Sequence, residues 1–172
     1  RAGVLQINVE SVPELEAVNA VASSMATVAP VAIRINPDVD ANTHAKISTG
    51  RKENKFGIEW TAAHRVFGDA LRLPAVRLQG IAVHIGSQVT TVEPFRDAFH
   101  RLRDLVAMLR VDGHRIETLD LGGGLGVPYG EDAMPELPSP REYAEVVNRS
   151  VGDLQCKILL EPGRVLAANA GV

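Results

Sequence analysis

Hydrophobic residues along this chain fall into two kinds of pattern that alternate. Short, nearly continuous apolar runs occur as VLQINV at 4 to 9, VAIRIN at 31 to 36, LQGIAVHI at 78 to 85, ETLDLG at 117 to 122 and KILLE at 157 to 161. Their length and β-branched content predict five buried strands. Between them lie segments with helical spacing, each long enough for the crossover that parallel neighbours need, so the alternation predicts βα units and a parallel sheet. Ser11 and Glu14 form a capping-box pattern with Pro13 in the first turn, predicting a helix that ends near Ala29-Pro30. Thr61 opens a second helix through about Leu71. A third spans Glu93 to Arg110, with Phe95, Phe99, Leu102, Val106 and Leu109 on one face, and a last runs from about Pro140 to Val151. Pro37 to Lys55 and Leu125 to Pro140 are irregular and long for simple connections, a frequent property of functional loops.

The fold class is therefore α/β. Five strands and four helices amount to a little over half of a (β/α)8 barrel, which needs about 250 residues. The chain has 172. It opens two or three residues before a strand and stops without a closing helix, so it is expected to be an internal piece of a larger barrel.

Composition narrows the function. With 45% hydrophobic and 23% charged residues the chain has an ordinary globular make-up. Its net charge is −3 and its 18 Lys and Arg are dispersed, which argues against nucleic acid but leaves small anions open as ligands. No run approaches the roughly 20 apolar residues of a membrane span, and the first residues lack a signal-peptide core. The cytoplasm is the default compartment. The single cysteine, Cys156, excludes an intrachain disulfide framework and, just before a predicted strand, reads as a small buried thiol with no assigned role.

Chemistry gathers at the predicted strand ends. LDLGGGLG runs a strand into Gly122, Gly123, Gly124 and Gly126, whose backbone N–H groups could approach an anion without a Cβ in the way. The spacing is not G-x-G-x-x-G, and Pro128 sits where a dinucleotide-binding helix would start. Taken alone, a glycine-rich structural turn explains it as well. LLEPGR places Glu161, Gly163 and Arg164 after the next strand, where barrel enzymes hold phosphate, although an ion pair at the rim is the alternative. IAVHIGSQ places His84 at a third strand end with Ser87 just beyond. A lone strand histidine is usually a core residue, but the Gly86-Ser87-Gln88 loop favours a ligand-facing one. The histidines have no zinc spacing, so no metal is expected. There is no G-x-S-x-G elbow for a serine nucleophile.

Taken in order, INVES, RINPDVDANTHAKISTGRKENKFGI, HIGSQ, LDLGGGLGVPY and EPGRVLAANAGV resemble the diaminopimelate decarboxylases. These belong to the fold-type III pyridoxal-phosphate enzymes, with the barrel of the alanine racemase type and with the ornithine, lysine and arginine decarboxylases as relatives. EPGR is shared across that group, whereas the NPDVD-THxxISTG-NKFG block is much more specific for the diaminopimelate branch. The resemblance implies decarboxylation of meso-2,6-diaminopimelate to L-lysine, the last step of lysine biosynthesis, by a homodimer. It implies that His84 stacks on the cofactor ring, and that Ser87, Gly123, Gly124, Gly163 and Arg164 surround the phosphate. Glu161 would pair with the ring nitrogen, and Arg164 would also lie near the substrate. Arg34 would order the surroundings, a structural pairing being the alternative. Lys55-Phe56-Gly57 resemble a dimer-contact segment. Where the family often has a polar residue two before His84, this chain has Ala82. The Schiff-base lysine belongs to an earlier strand, in a Tyr-Ala-x-Lys context that Lys46, Lys52, Lys55 and Lys157 do not match. On this reading residues 1–172 are the central to C-terminal part of the barrel domain, the first strands and a C-terminal β domain lie elsewhere, and the chain alone is inactive. A decarboxylase of ornithine, arginine or carboxynorspermidine, or a non-catalytic barrel that binds the cofactor, are the competing expectations.

Overall fold

A computed structural model describes residues 3–39, 56–128 and 137–170. Strands β1 (Ile7–Val9), β2 (Ala29–Asn36), β3 (Ile58–Glu59), β4 (Val76–Ala82), β5 (Thr118–Asp120) and β6 (Lys157–Leu159) alternate with α1 (Val12–Ser24), α2 (Ala63–Ala70), α3 (Glu93–Val111), α4 (Pro140–Val151) and α5 (Arg164–Ala167). The strand order is β1-β2-β4-β5-β6, with β3 paired to the end of β2. All pairings are parallel. The expected α/β architecture is present. Among the described residues no helix is long and apolar enough to cross a membrane, and no group of three His, Cys, Asp or Glu could hold a metal ion.

The sheet curls into part of a barrel, and a polar row on its inner face shows it. Asn8 Nδ2 donates to Asp120 Oδ2 at 2.8 Å, and Thr118 Oγ1 donates to Gln6 Oε1 at 2.8 Å. These bonds join the β1 segment to β5, although β2 and β4 lie between. In a flat sheet three strand spacings would hold the backbones about 14 Å apart, too far for such short side chains to meet. Curvature closes the distance. At Gly80 a Cβ would overlap Thr118, so only glycine lets β4 and β5 approach there. Gln79 adds a residue to β4 opposite Val31 and Ala32, a local irregularity that increases the bend.

The outer face is apolar. α3 buries Phe95, Ala98, Phe99, Leu102, Leu105, Val106 and Leu109, the face expected from its spacing. Phe95, Phe99 and Tyr143 of α4 meet edge to face or tilted, with centroids 4.9 to 6.1 Å apart. Arg103 grips Asp153 with two hydrogen bonds of 2.6 and 2.5 Å and the Ser150 carbonyl at 2.8 Å, tying α3 to the end of α4.

Several boundaries differ from expectation. α1 stops at Ser24 because Met25, Ala26 and Thr27 turn the chain: Thr27 N–H donates to the Ala22 carbonyl and Ala26 N–H to that of Ser23, with Ala26 at φ 50°. This is a Schellman ending built on alanine, a residue with no turn signature. Ala29 and Pro30 belong to β2 instead. Ser11 Oγ accepts from Glu14 N–H at 3.3 Å as expected, but Glu14 reaches back to Glu10 N–H, one residue before the cap. A 3-10 turn, Trp60–Ala62, leads into α2. β1 loses residues 4 to 6, with Val4 and Leu5 exposed, and β6 ends at Leu159. Two further elements, β3 and α5, were not expected. Most of the irregular stretch from Pro37 to Lys55 lies outside the described residues, with His44, Lys46, Lys52 and Lys55.

Candidate functional site

The carboxyl ends of the strands face one way, and the side chains that follow them line two cavities sharing His84 and Ser87. The first, of about 430 Å³, is bounded by His84, Ser87, Gly122, Gly123, Gly124, Glu161, Gly163 and Arg164, with Tyr143 and Pro140 of α4 behind. The second, of about 530 Å³, is bounded by Glu10, Arg34, Asn36, Phe56 and the residues 84–87. Seven of the eight expected site residues thus surround a single cavity, and Arg34 stands across His84 from it.

The glycine turn is held by its neighbours. Beyond β5 and β6 the ladder continues, with Leu121 N–H donating to Leu159 and Glu161 N–H to the Gly122 carbonyl at 2.9 Å. Gly122 has φ 65°, and a Cβ there would lie 2.6 Å from the Val83 carbonyl oxygen and 2.8 Å from His84 Nδ1. Gly124, at φ 105°, packs against the Gly86 carbonyl. At both positions a left-handed backbone and close approach require glycine. Gly163 differs: nothing lies within 4 Å of where its Cβ would be.

His84 Nδ1 accepts from Gly123 N–H at 3.3 Å, which leaves the proton of the neutral ring on Nε2. Burial, and then the Arg34 guanidinium, lower its pKa and favour that neutral form. Arg34 Nη1 pairs with Glu10 Oε1 at 2.6 Å, and its guanidinium lies 5.7 Å from the centre of the exposed Phe56 ring. Burial, and then the Asp120 carboxylate, push the Glu161 carboxyl above the ordinary carboxylate range. The Cys156 thiol is pushed up by burial as well, and Arg110 Nη2 lies 3.2 Å from its sulfur. It stays a protonated thiol away from the cavities.

Six participants carried no role in the sequence reading. Asp120 is buried beneath the glycine turn, with Oδ1 accepting Gly122 N–H at 3.0 Å. Gln6, Asn8 and Glu10 alternate along one segment, so a period-two polar stripe inside an apolar run was the available signal. Gln88 bridges the loops after β4 and β5, its amide donating to the Val127 carbonyl at 2.7 Å and accepting Val127 N–H at 3.0 Å. Tyr143 lines the cavity with a buried hydroxyl that has no hydrogen-bond partner among the described residues. Nothing in its helical position distinguishes it from a core residue.

A hydroxyl, a guanidinium and a permissive turn suit a phosphate, and a neutral imidazole beside a carboxyl suits a heteroaromatic ring with a basic nitrogen. The sequence profile of the pyridoxal-binding domain of pyridoxal-dependent decarboxylases matches residues 1–168. The chain belongs to that family. The chain is 48% identical over 170 residues to the diaminopimelate decarboxylase of Zymomonas mobilis and 46% identical over 166 to that of Haemophilus influenzae. The alignments cover 99% and 96% of the domain, but 40% and 39% of those relatives. The crystal structure of Helicobacter pylori diaminopimelate decarboxylase with L-lysine superposes with a TM-score of 0.84 at 37% identity, over 94% of this domain and 40% of that chain. The chain thus spans about two fifths of the length of these relatives.

Proposed function

We propose that this domain forms the cofactor wall of a diaminopimelate decarboxylase that releases CO2 from meso-2,6-diaminopimelate to give L-lysine. The observation that carries the reading is the convergence of His84, Ser87, the glycine turn, Glu161 and Arg164 on one cavity at the strand ends. The identities above, shared with diaminopimelate decarboxylases over almost the whole domain, support the substrate.

Pyridoxal 5′-phosphate, when bound, accepts the electron pair left on Cα as CO2 departs. The residues here divide the work of holding it. Ser87 Oγ, the backbone of Gly123 and Gly124, Gly163 and the Arg164 guanidinium would take the phosphate. His84 offers the flat face of a neutral imidazole, and its ring is oriented by Gly123 N–H. Glu161 would take the ring nitrogen, its carboxylate favouring a proton there. Arg164 also neutralises an acidic group of the substrate, and Arg34 acts indirectly by holding Glu10 and the His84 surroundings. In the full-length enzyme we place this domain in a cytoplasmic homodimer.

The test is CO2 release by the full-length protein from meso-diaminopimelate, ornithine, arginine and carboxynorspermidine in parallel. Diaminopimelate should be turned over at least about tenfold more efficiently than the others, one well-placed polar contact giving about 1.4 kcal/mol. Turnover of another substrate in preference, or of none, overturns the assignment.

A further inference from the structure

The carboxylate nearest to Glu161 is Asp120, a residue with no assigned part. It is 4% exposed, on a strand whose other residues, Thr118 and Leu119, are equally buried. A carboxylate is rarely placed so deep without a task or a full set of partners. Its two oxygens accept hydrogen bonds from opposite directions, Oδ1 from Gly122 N–H at 3.0 Å and Oδ2 from Asn8 Nδ2 at 2.8 Å. Asp120 pairs in register with Leu159, and Glu161 lies two residues beyond Leu159 with its N–H on the Gly122 carbonyl. One residue therefore joins both: Gly122 gives its N–H to Asp120 and its C=O to Glu161.

We propose, resting on the reading above, that Asp120 is a positioning residue for the ring-nitrogen contact: its buried carboxylate stands behind Glu161, fixes that residue's approach through the Gly122 backbone, and adds a second negative charge to the hold on a protonated ring nitrogen. Glu161 touches the ring; Asp120 acts through it. A side-chain hydrogen bond and the charge of Asp120 both raise the proton affinity of Glu161. The other charges facing Glu161 are Arg34 at the end of β2, which opposes this effect, and Glu10 after β1, which adds to it. These two are paired with each other at 2.6 Å. His84, after β4, is neutral by burial and faces the same Asp120. Among the described residues no cation is ion-paired with Asp120, and Asn8 ties it across the inner face at 2.8 Å.

The experiment uses the full-length protein with carboxyl-13C glutamate, the Glu161 resonance being assigned by its loss in Glu161→Gln. In the cofactor-free protein the Glu161 titration midpoint should move down in Asp120→Asn, a substitution that removes the charge and keeps an oxygen acceptor for Gly122 N–H while setting an NH2 group against Asn8 Nδ2. In the loaded protein the pH at which the ring nitrogen loses its proton, read by 15N-labelled cofactor, should move down as well. If Asp120→Asn does not fold, Asn8→Ala provides the second arm: it removes the tether and one of the two donors that hold the Asp120 carboxylate beside Glu161, so the midpoint should fall there too. An unchanged or raised midpoint in either variant overturns the proposal. Failure of the parent to bind pyridoxal phosphate or release CO2 would instead overturn the functional reading, because the cofactor-free titration does not depend on it.

Discussion

Replacing Gly122 by alanine should damage the site more than replacing any other glycine of the turn region that faces open space, and the size of the effect follows from its surroundings. An L-residue held at φ 65° costs about 1–2 kcal/mol. The new methyl would also stand 2.6 Å from the Val83 carbonyl oxygen and 2.8 Å from His84 Nδ1, contacts that force the turn or the imidazole to move. Either movement breaks the 3.3 Å bond from Gly123 N–H to His84, a further loss of about 1 kcal/mol. The total is about 2–3 kcal/mol. If the turn holds, the loss appears as stability in a denaturant titration of the full-length protein. If it yields, cofactor affinity falls roughly 30- to 150-fold, since each 1.4 kcal/mol is tenfold. Gly163→Ala is the matched control, with φ −91° and nothing within 4 Å of the added methyl; its stability should change by less than about 0.5 kcal/mol. Absorbance titration with pyridoxal phosphate and a urea curve measure both quantities. A Gly122→Ala protein with wild-type stability and wild-type affinity would falsify the account of the turn.

Three other perturbations test the neighbours. Because burial lowers the His84 pKa from its ordinary 6.5, the folded state takes up fewer protons than the unfolded one, so stability should fall as pH drops below about 6.5; His84→Gln should flatten part of that slope, and buried His114, shifted the same way, should account for another part. In Arg34→Met the cation that helps keep His84 neutral is gone, and the His84 midpoint read by imidazole NMR should rise towards its ordinary value; a fall would refute the role given to Arg34. Gln88→Ala removes both hydrogen bonds to buried Val127 and should cost about 1–3 kcal/mol in urea denaturation, whereas an unchanged midpoint would mean that water replaces the amide at no cost.

The fold was legible where pattern and packing ask for the same thing. α3 shows its buried face in the spacing of Phe95, Phe99, Leu102, Val106 and Leu109, and α4 begins at Pro140 under a full Ser139–Glu142 capping box. Strand ends were less legible, because an apolar run does not reveal where its ladder stops: residues 4 to 6 look like strand but lie before the first pairing, Ile7 to Val31. The end of α1 was hidden by a left-handed alanine, where the chain carries no glycine or asparagine to announce it. β3 has only two residues and gains its place from pairing with Ile35 and Asn36, a long-range interaction that no local window contains.

The site divides along the same line. His84, Ser87, Gly123, Glu161 and Arg164 could be named because each sits in a short run whose composition is odd for a strand end: glycines together, a serine between glycine and glutamine, a carboxyl and a guanidinium around Pro-Gly. Asp120 stands inside the most conspicuous of these runs and was still passed over, since a lone aspartate between leucines reads as a strand residue turned to solvent. Its meaning depends on curvature. In a flat sheet Asp120 could not meet Asn8, and the oxygen turned away from Gly122 would lack that donor; once the sheet bends, Asn8 reaches it. The polar stripe Gln6, Asn8, Glu10 and the pair Thr118, Asp120 are thus two halves of one pattern, each of which explains the other only after closure. In a curled parallel sheet, a polar stripe on one strand therefore calls for a matching stripe two or three strands away, and the residues where the two meet are the ones placed to position a neighbouring catalytic group.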